Sequence, residues 1–453
     1  MRFVRMKAAW LFLFICVFYS AWMTGLTFRF SECETLPNYA MLADGFADGH
    51  LFIQASPPAD MIIKNGNRYI FSGPVPALVR LPVRFLFGTS VPSGVMIILY
   101  CAGVGTLFAF ILDELVPGNP TRSPSLLKKG LVSVFIANGI SLYMVTIPSI
   151  HHESISAAMF FLMTALLLLL KAHNDRYRPN AGTAVMIGLS LSFSVGCRFS
   201  YAYAAALIFF ALVFGYWKHS YHSAKPKVVR AVMITGSIGM ASLCLLLWYN
   251  AARFGSIWDF GMANLESRYQ VYFLNGGYFR YDHFPHNLWS LFFRIPQFVP
   301  EFPFVKLPAY ILQIRSIGIG PYFLVNANEL TISVFFLAPI LVLAFVPCLS
   351  SKSYGNDGLT PFVILLGLVI VQIFSVGFTV ATIARYYYDF IPLMMMMAFM
   401  ATVHLKLNRK ISNGMIAFLC CISTVLSFAL PMNAIRLYDK FIDYQSPLLN
   451  IFF

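Results

Sequence analysis

The chain has 453 residues, of which 59% are hydrophobic and only 11% are charged. Soluble proteins usually carry about 25% charged residues, so the composition excludes an ordinary water-soluble globular protein. The formal net charge is +14, but no basic helix or aromatic–basic platform suggests nucleic-acid binding. Basic residues accumulate instead in the cytoplasmic loops of membrane proteins. The sequence therefore predicts an all-α polytopic membrane protein.

Hydrophobic segments long enough to cross a bilayer recur along the whole chain. The first runs from Ala8 to about Leu26, and its poor cleavage site favours an uncleaved span over a signal peptide. Further spans are predicted at residues 91–112, 130–147, 153–171, 182–196, 199–216, 231–249, 331–348, 360–381, 386–403 and 412–431. The total is about 11 transmembrane helices.

The distribution of basic residues predicts the orientation of these spans. The apolar stretch 181–216 is too long for one helix, and basic residues such as Arg176 and Lys218 flank it on both sides. Since short cytoplasmic loops are rich in Lys and Arg, both flanks are expected in the cytoplasm. The chain must then cross twice, with a turn near Arg198. The same alternation predicts a cytoplasmic N-terminus and two large outer loops, 28–90 and 250–330.

The first outer loop begins with two carboxylates. Glu32 and Glu34 follow the first span directly. A carboxylate at this place can accept a proton from an acceptor hydroxyl, which is the work of a general base. It can equally be a solvated loop acid without a special role.

The same loop contains two segments with helical periodicity. Apolar residues at helical spacing predict a short helix that ends at Gly49. A second predicted helix ends near Phe87 and carries Arg80 and Arg84 four residues apart. We expect it to lie in the membrane interface with its basic face toward the lipid headgroups. The loop is therefore predicted to form interfacial helices.

Polar groups also mark the ends of later spans. His151, His152 and Glu153 stand together at the start of a span. They could form a metal or acid–base cluster, or they could be a polar cap in which Glu153 stabilises the helix N-terminus. Arg385 and Asp389 lie four residues apart, a spacing that allows an ion pair on one helical face. Charges at membrane depth usually face a polar cavity, so a functional role stays open beside the structural one.

Five short segments, in this order, resemble the membrane glycosyltransferases of the GT-C superfamily, in particular the bacterial protein O-mannosyltransferases and the lipid A aminoarabinose transferase. They are the acidic first loop with Tyr39-Ala-Met-Leu-Ala-Asp-Gly-Phe-Ala-Asp-Gly, the stretch from Tyr69 to Pro76, His152-Glu153, the stretch from Tyr249 to Gly261, and the stretch from Arg385 to Pro392. As an architecture, the resemblance covers the whole length.

The resemblance implies a single GT-C-like transmembrane domain over residues 1–453. It also implies an enzyme of the bacterial inner membrane that moves a sugar from a polyprenyl-phosphate carrier to a glycan, lipid or protein acceptor on the outer face. Direct displacement of the carrier phosphate by the acceptor would invert the anomeric centre.

The resemblance also implies roles for individual residues. The family usually has an Asp in the first outer loop, and Glu34, five residues before Tyr39, is nearer to that place than Glu32. Glu153 matches the second acidic position, so the implied catalytic residues are Glu34 and Glu153. Candidate ligands of a divalent metal ion are Glu34, His152 and Glu153. Candidate substrate-binding residues are Tyr39, Tyr69, Arg198, Arg253 and Arg385.

Two other classes of membrane protein share these features. A lipid-linked-sugar flippase or other secondary transporter has similar hydrophobicity and buried charges, but it should show repeat symmetry and broken helices at the midplane. Neither is clear in the sequence. A polysaccharide polymerase or ligase would share the carrier-lipid chemistry without the acidic first loop. No Walker loop or Gly-x-Ser-x-Gly motif supports ATP-driven transport or serine hydrolysis.

Overall fold

The computed structural model describes most of the chain. The described residues are 2–30, 37–53, 61–115, 125–146, 148–175, 180–219, 225–261, 264–266, 279–300, 305–306, 311–312, 323–324, 331–345, 355–379, 382–404 and 409–432. This part is mostly helical, as predicted, with a few short strands.

The helices are α1 (Arg2–Met23), α2 (Asn38–Ala47), α3 (Val75–Phe87), α4 (Ser93–Glu114), α5 (Ser125–Ala137), α6 (Gly139–Thr146), α7 (Ile150–Asn174), α8 (Ala181–Cys197), α9 (Ala202–His219), α10 (Lys225–Phe254), α11 (His283–Phe292), α12 (Val334–Leu337), α13 (Gly355–Gly377), α14 (Tyr387–His404) and α15 (Arg409–Ser427). The strands are β1 (Met61–Lys64), β2 (Asn67–Tyr69), β3 (Leu265–Glu266), β4 (Gln297–Phe298), β5 (Val305–Lys306), β6 (Ile311–Leu312) and β7 (Phe323–Leu324). Short 3-10 helices cover Phe199–Tyr201, Pro339–Phe345 and Ala384–Tyr386.

Six helices in the described part are long and apolar enough to cross a membrane. They are Ser93–Glu114, Ile150–Asn174, Phe199–Trp217, Val229–Phe254, Thr360–Gly377 and Gly414–Met432. Shorter apolar helices cover Ala8–Met23, Gly130–Thr146 and Ala181–Cys197. All of them lie where spans were predicted, and the six long helices make the chain an integral membrane protein. The predicted total of about 11 spans is not confirmed.

Two predicted spans are interrupted. Segment 130–147 divides into α5 and α6 at Asn138, whose side-chain oxygen accepts a hydrogen bond from the backbone N–H of Ser141 at 2.8 Å. Next to it, Gly139 lies so close to the backbone of Ser427 that a β-carbon would clash. The predicted span 331–348 is not a continuous α-helix: α12 ends before Pro339, which cannot donate to the helical ladder, and a 3-10 helix follows.

The predicted orientation of the spans can be tested with reporter fusions. Fusions at Lys225 and at Gly277 are expected to report opposite sides of the membrane, because the basic residues around Lys225 favour the cytoplasm. A reporter that is active only in the cytoplasm and one that is active only outside would provide matched readouts. Both fusions on one side would contradict the orientation and the two outer loops.

The chain divides into two compact units. One contains Met1–Phe28, Cys101–Thr146 and Arg280–Phe453, and is called the first unit below. The other contains Arg29–Tyr100 and Ile147–Phe279, and is called the second unit. The single domain over residues 1–453 stays a prediction.

In the second unit, the first outer loop folds as helix, hairpin and helix. The two predicted helices are present as α2 and α3, and Gly49, just after α2, has the positive φ of +81° that favours glycine. Between them, β1 and β2 pair as an antiparallel hairpin that the sequence analysis did not predict. Its turn, Asn65-Gly66, has positive φ at both residues, as a type I′ turn requires.

The hairpin extends into the largest sheet of the described part, with strand order β2-β1-β3. Met61 lies opposite Glu266, so the second large loop pairs with the first within this unit. Helix α7 packs against α8, and α8 packs against α10. The described part of the second unit therefore contains a set of apolar helices. It also contains a small folded structure to which both large loops contribute residues.

Candidate functional site

The first outer loop of the second unit is attached to α7 through a buried apolar cluster. Tyr39 and Leu42 of α2 are fully buried with Ala77 of α3 and Ile150, the first residue of α7. Full burial of a side chain of the size of Leu42 or Ile150 contributes about 1.5–3 kcal/mol. The start of α7 and the loop helices therefore form one packed structure.

At the centre of this structure lies a buried ion pair between Arg80 of α3 and Glu153 of α7. Both side chains are 0% exposed. Nη2 of Arg80 donates to one carboxylate oxygen of Glu153 at 2.9 Å, and Nη1 donates to the other. Two parallel bonds between a guanidinium and a carboxylate make the strongest and most directional type of ion pair.

The remaining donors of Arg80 are also used. Nε donates to the backbone oxygen of Val91, and Nη1 donates to that of Pro76, both at 2.9 Å. Nη2 lies 3.4 Å from the hydroxyl of Ser93. A guanidinium has five N–H donors, and these contacts employ all of them.

The electrostatics of the pair follow from its burial. Burial by itself lowers the pKa of Arg80, but the charge of Glu153 and the hydrogen bonds to it offset burial, so that this pKa is raised. Tyr39 lies over the pair, with its ring centre 6.0 Å from the guanidinium carbon. Burial, and then the charge of Glu153, raise the pKa of Tyr39 well above its usual value. Tyr39 therefore stays neutral at physiological pH.

The position of Arg80 corrects one expectation. Arg80 does not face the headgroups: it points inward, while Phe85, Leu86 and Phe87 at the end of α3 are exposed. Arg84 is half-buried and pairs with Asp44 of α2, Nε to Oδ1, at 2.6 Å. The basic residues of α3 thus connect it to neighbouring protein groups, and the exposed end of the helix is apolar.

The start of α7 is a polar helix cap. Ser149 is the N-cap residue, and its hydroxyl accepts a hydrogen bond from the backbone N–H of His152 at 3.3 Å. His152 is buried, and the ring of His151 lies 5.2 Å from that of Phe71. Glu153 in the first turn is favourably placed for the positive end of the helix dipole. The motif thus lies at the start of a capped helix, and its acid–base role stays a prediction.

Of the three predicted metal ligands, the structure describes His152 and Glu153. No group of three His, Cys, Asp or Glu residues in the described part of the chain could hold a metal ion. Both carboxylate oxygens of Glu153 accept hydrogen bonds from Arg80, whose positive charge opposes a cation at the same place. Glu32 and Glu34 lie outside the described residues, so the general base and any metal ligand at Glu34 stay predictions.

Arg253 is a structural tether. At the end of α10, its Nη1 donates to the backbone oxygen of Ile70 at 2.8 Å, and Nη2 donates to the side-chain oxygen of Asn250 at 2.8 Å. The guanidinium also stacks on Tyr249, 3.9 Å from the ring centre. These contacts join α10 to the first outer loop. They also use N–H groups of Arg253 that a bound phosphate would need as hydrogen-bond donors.

Tyr69 lies in the same region, where α10 contacts the first outer loop. Its ring packs edge-to-face on Phe254 at 5.3 Å and on Phe52 at 6.2 Å. The side-chain amide of Asn67 lies 3.4 Å from its hydroxyl. Tyr69 is thus part of a small apolar cluster, and the structure gives it a packing role.

Arg198 lies where the first outer loop meets the end of α8. It follows Cys197 as the C-cap residue of α8 and is half-buried, which confirms the predicted helix end near Arg198. Beside it, Gly73 lies against the backbone of Gly196, so that a β-carbon on Gly73 would overlap the Gly196 carbonyl. A glycine is needed here for close approach of the loop to the span.

This contact yields a test of how closely the loop must approach. Gly73→Ala is expected to destabilise the protein by about 1–3 kcal/mol, because backbone cannot yield as a flexible side chain does. Thermal unfolding in detergent measures the effect. Gly414→Ala is the matched control, since its added carbon would meet open space in a helix, where alanine is favoured by about 1 kcal/mol. Equal stabilities of the two variants would contradict the close contact.

In the first unit, Arg385 and Asp389 form a second buried charged region. Arg385 lies in the 3-10 turn before α14 and Asp389 in the first turn of α14, and both are buried. Between them, Tyr387 bonds through its hydroxyl to both backbone groups of Ile332. The charged residues expected at this place are therefore buried, in a segment that also binds the backbone of Ile332.

The structural roles of two residues were not predicted from the sequence. One is Arg80, whose partner Glu153 is 73 positions away. The other is Asn287 of α11, whose amide donates to the backbone oxygens of Gly377 and Thr379, both at 2.7 Å. It therefore binds the carbonyls at the C-terminal end of α13. The apolar residues around each of them in the sequence could have indicated burial. A buried polar side chain needs a hydrogen-bond partner, so burial would have suggested a structural role.

No protein-family model matches the sequence, and no curated protein sequence matches it. Two solved structures are similar to the chain: the archaeal oligosaccharyltransferase AglB from Archaeoglobus fulgidus, in complex with an inhibitory peptide and a dolichol-phosphate, and ArnT from Cupriavidus metallidurans, bound to undecaprenyl phosphate. Each is 10% identical with a TM-score of 0.47. The alignments cover 96% and 97% of this chain, and 56% and 77% of those chains.

The chain thus spans little more than half the length of the oligosaccharyltransferase. A TM-score under 0.5 at this identity carries no argument about fold or function. The functional interpretation therefore depends on the residues of this chain.

Proposed function

We propose that the protein is a glycosyltransferase that moves a sugar from a polyprenyl-phosphate carrier to a glycan, lipid or protein acceptor on the outer face of a bacterial inner membrane. One observation carries the proposal. The first outer loop is folded onto the end of the apolar helix α7 around the buried Arg80–Glu153 pair, directly after the acidic segment that contains Glu34.

This arrangement suits a lipid-linked donor. The tail of such a donor lies in the bilayer, so its phosphate and sugar must be handled at the membrane surface. Glu34 precedes Asn38 by four residues, a chain distance of at most about 14 Å. Asn38 is fully buried at the start of α2. The proposal assigns the base to Glu34, which precedes this folded part of the loop in the sequence.

The proposed reaction is a direct displacement. The acceptor oxygen forms a bond to the anomeric carbon while the bond from that carbon to the carrier phosphate breaks. Glu34 takes the proton of the acceptor hydroxyl, and the carrier leaves as a phosphate with one more negative charge. The configuration at the anomeric carbon of the sugar is inverted. Arginine side chains at the membrane surface would stabilise the developing charge.

Arg198 is the proposed phosphate contact in the second unit, and Arg385 in the first unit is a separate candidate from the sequence. The bonds of Arg253 to Ile70 and Asn250 favour a structural role. Glu153 assists by holding Arg80, and with it the loop, in place. The contacts of Glu153 do not fit a metal ligand, so no step of this mechanism passes through a metal ion.

The contribution of Arg385 can be measured separately. Arg385→Gln is expected to raise KM for the donor and to lower kcat/KM, because a lost phosphate contact weakens both donor binding and the transition state. Thermal unfolding of the variant, with and without the carrier phosphate, separates this effect from instability. A stable variant with unchanged donor kinetics would remove Arg385 from the mechanism.

A transporter of lipid-linked sugars is the second candidate, and one observation favours it. The interruptions at Asn138 and at Pro339 are breaks in predicted spans of the first unit, and broken helices are typical of secondary transporters. The acidic first loop has no evident purpose in that interpretation.

The proposal is tested by incubating the purified protein, in liposomes, with a panel of polyprenyl-phosphate sugars and candidate acceptors. Release of free carrier phosphate that depends on the acceptor supports a glycosyltransferase. Movement of the intact donor between leaflets, with no release for any member of the panel, would contradict it and favour the transporter.

A further inference from the structure

Helix α11 in the second large loop has its polar side buried and its aromatic side exposed. Its buried residues are His283, Asn287, Ser290 and Leu291, three of which are polar. On the opposite side, Trp289 is 62% exposed, and Phe293, directly after the helix, is 59% exposed. A helix between a protein surface and water would show the reverse arrangement.

The polar side of α11 is hydrogen-bonded to the ends of other elements of the first unit. Asn287 binds the carbonyls of Gly377 and Thr379 after α13. Ser290 is hydrogen-bonded to the hydroxyl of Thr331, both being buried. The backbone N–H of Arg280, just before the helix, donates to the backbone oxygen of Phe378 at 3.0 Å. These bonds fix α11 across the end of a membrane span.

Aromatic contacts also join α11 to that candidate span. Phe284 stacks on Phe374 and on Phe378, with ring centres 4.8 Å apart in both pairs. Phe374 is an exposed residue of the candidate span Thr360–Gly377. Phe418 belongs to the candidate span Gly414–Met432 and is 64% exposed, about as much as Trp289. Exposed aromatic side chains are thus present both on the candidate spans and on α11.

The surface continues along the chain after α11. Trp289 stacks on Phe293 at 5.5 Å. Ile295 and Phe298 follow, and both are largely exposed. On the N-terminal side, Arg280 pairs with Asp282 at 2.7 Å. Aromatic side chains beside a few charges are characteristic of the zone between headgroups and acyl chains.

From this geometry we propose that α11 lies flat in the membrane interface, with its aromatic side in the lipid and its polar side against the ends of the spans. The occupant of the exposed surface is the lipid bilayer itself. The second large loop is then held to the membrane by this helix. The proposal does not depend on the glycosyltransferase activity.

Tryptophan fluorescence tests the proposal in the intact protein reconstituted in phosphatidylcholine liposomes. The difference between the wild-type emission and that of Trp289→Phe is the emission of Trp289, and phenylalanine preserves the aromatic surface. We expect this emission to be blue-shifted, to lose intensity with lipids brominated near the headgroup end of their acyl chains, and to resist the aqueous quencher acrylamide.

Trp22→Phe is the matched control. Trp22 is buried and donates to the hydroxyl of Thr146 at 2.9 Å, so its difference emission should respond to neither quencher. A Trp289 emission that acrylamide quenches and brominated lipid does not would overturn the proposal. An emission that resists both quenchers would also overturn it, because it would show the surface covered by a second copy or another protein.

If Trp289→Phe does not yield folded protein, a photoreactive benzophenone amino acid at Phe293 replaces the measurement. Cross-linking to lipid supports the proposal, and cross-linking to protein alone contradicts it.

Discussion

Replacing Glu34 by glutamine is expected to lower the rate of sugar transfer by about a hundredfold to ten-thousandfold, the usual loss when a general base is removed. Glutamine keeps the size and the hydrogen-bonding capacity of the side chain but cannot accept a proton. The variant should therefore fold, bind the donor with nearly unchanged affinity and fail at the chemical step. Initial rates under saturating donor measure the loss.

Glu32→Gln is the matched control for this experiment. It changes the same type of residue two positions away, and we expect only a small effect because the base function is assigned to Glu34. Loss of transfer in Glu32→Gln with normal transfer in Glu34→Gln would move the base to Glu32. If both variants transfer normally, a carboxylate in this loop is not the base.

Breaking the buried pair between Arg80 and Glu153 is expected to destabilise the protein by about 3–5 kcal/mol, because the remaining charge is left buried without its partner. Glu153→Gln and Arg80→Met should each lower the unfolding temperature and the yield of folded protein. The physical reason is visible in the contacts: both side chains are fully buried, and both Glu153 oxygens accept from Arg80.

The double variant separates a structural role from a catalytic one. With both charges removed, no unpaired charge remains, so Arg80→Met combined with Glu153→Gln should be more stable than either single variant. If the pair only positions the loop, this double variant regains transfer activity together with stability. A stable double variant without activity would show that Glu153 takes part in the chemistry itself.

The apolar spans were predictable because a bilayer imposes a length and a composition that are visible in any single sequence. Helices α2 and α3 were predictable for a related reason, since apolar residues at helical spacing mark them. The hairpin between them carried the Asn65-Gly66 signal, but its strands are only four and three residues long and lack a clear alternation.

The direction of Arg80 could not be predicted, because its partner belongs to a helix 73 positions away. An arginine on an amphipathic helix usually faces headgroups, and only the presence of Glu153 at the start of α7 reverses it. The interruption at Asn138 was hidden in a similar way. The close approach of Gly139 to Ser427 involves a helix nearly three hundred positions later in the chain.

The central claim, sugar transfer from a polyprenyl-phosphate carrier, is tested most directly with a donor labelled in both the sugar and the lipid. The purified protein is incubated with this donor and an acceptor in sealed liposomes, and the Glu34→Gln variant is run in parallel. The account predicts that wild-type protein places the sugar label on the acceptor, inverted at the anomeric carbon, in equal amount to the free carrier phosphate, and that the variant does so far more slowly. Both labels remaining together in intact donor that has crossed the bilayer would contradict it.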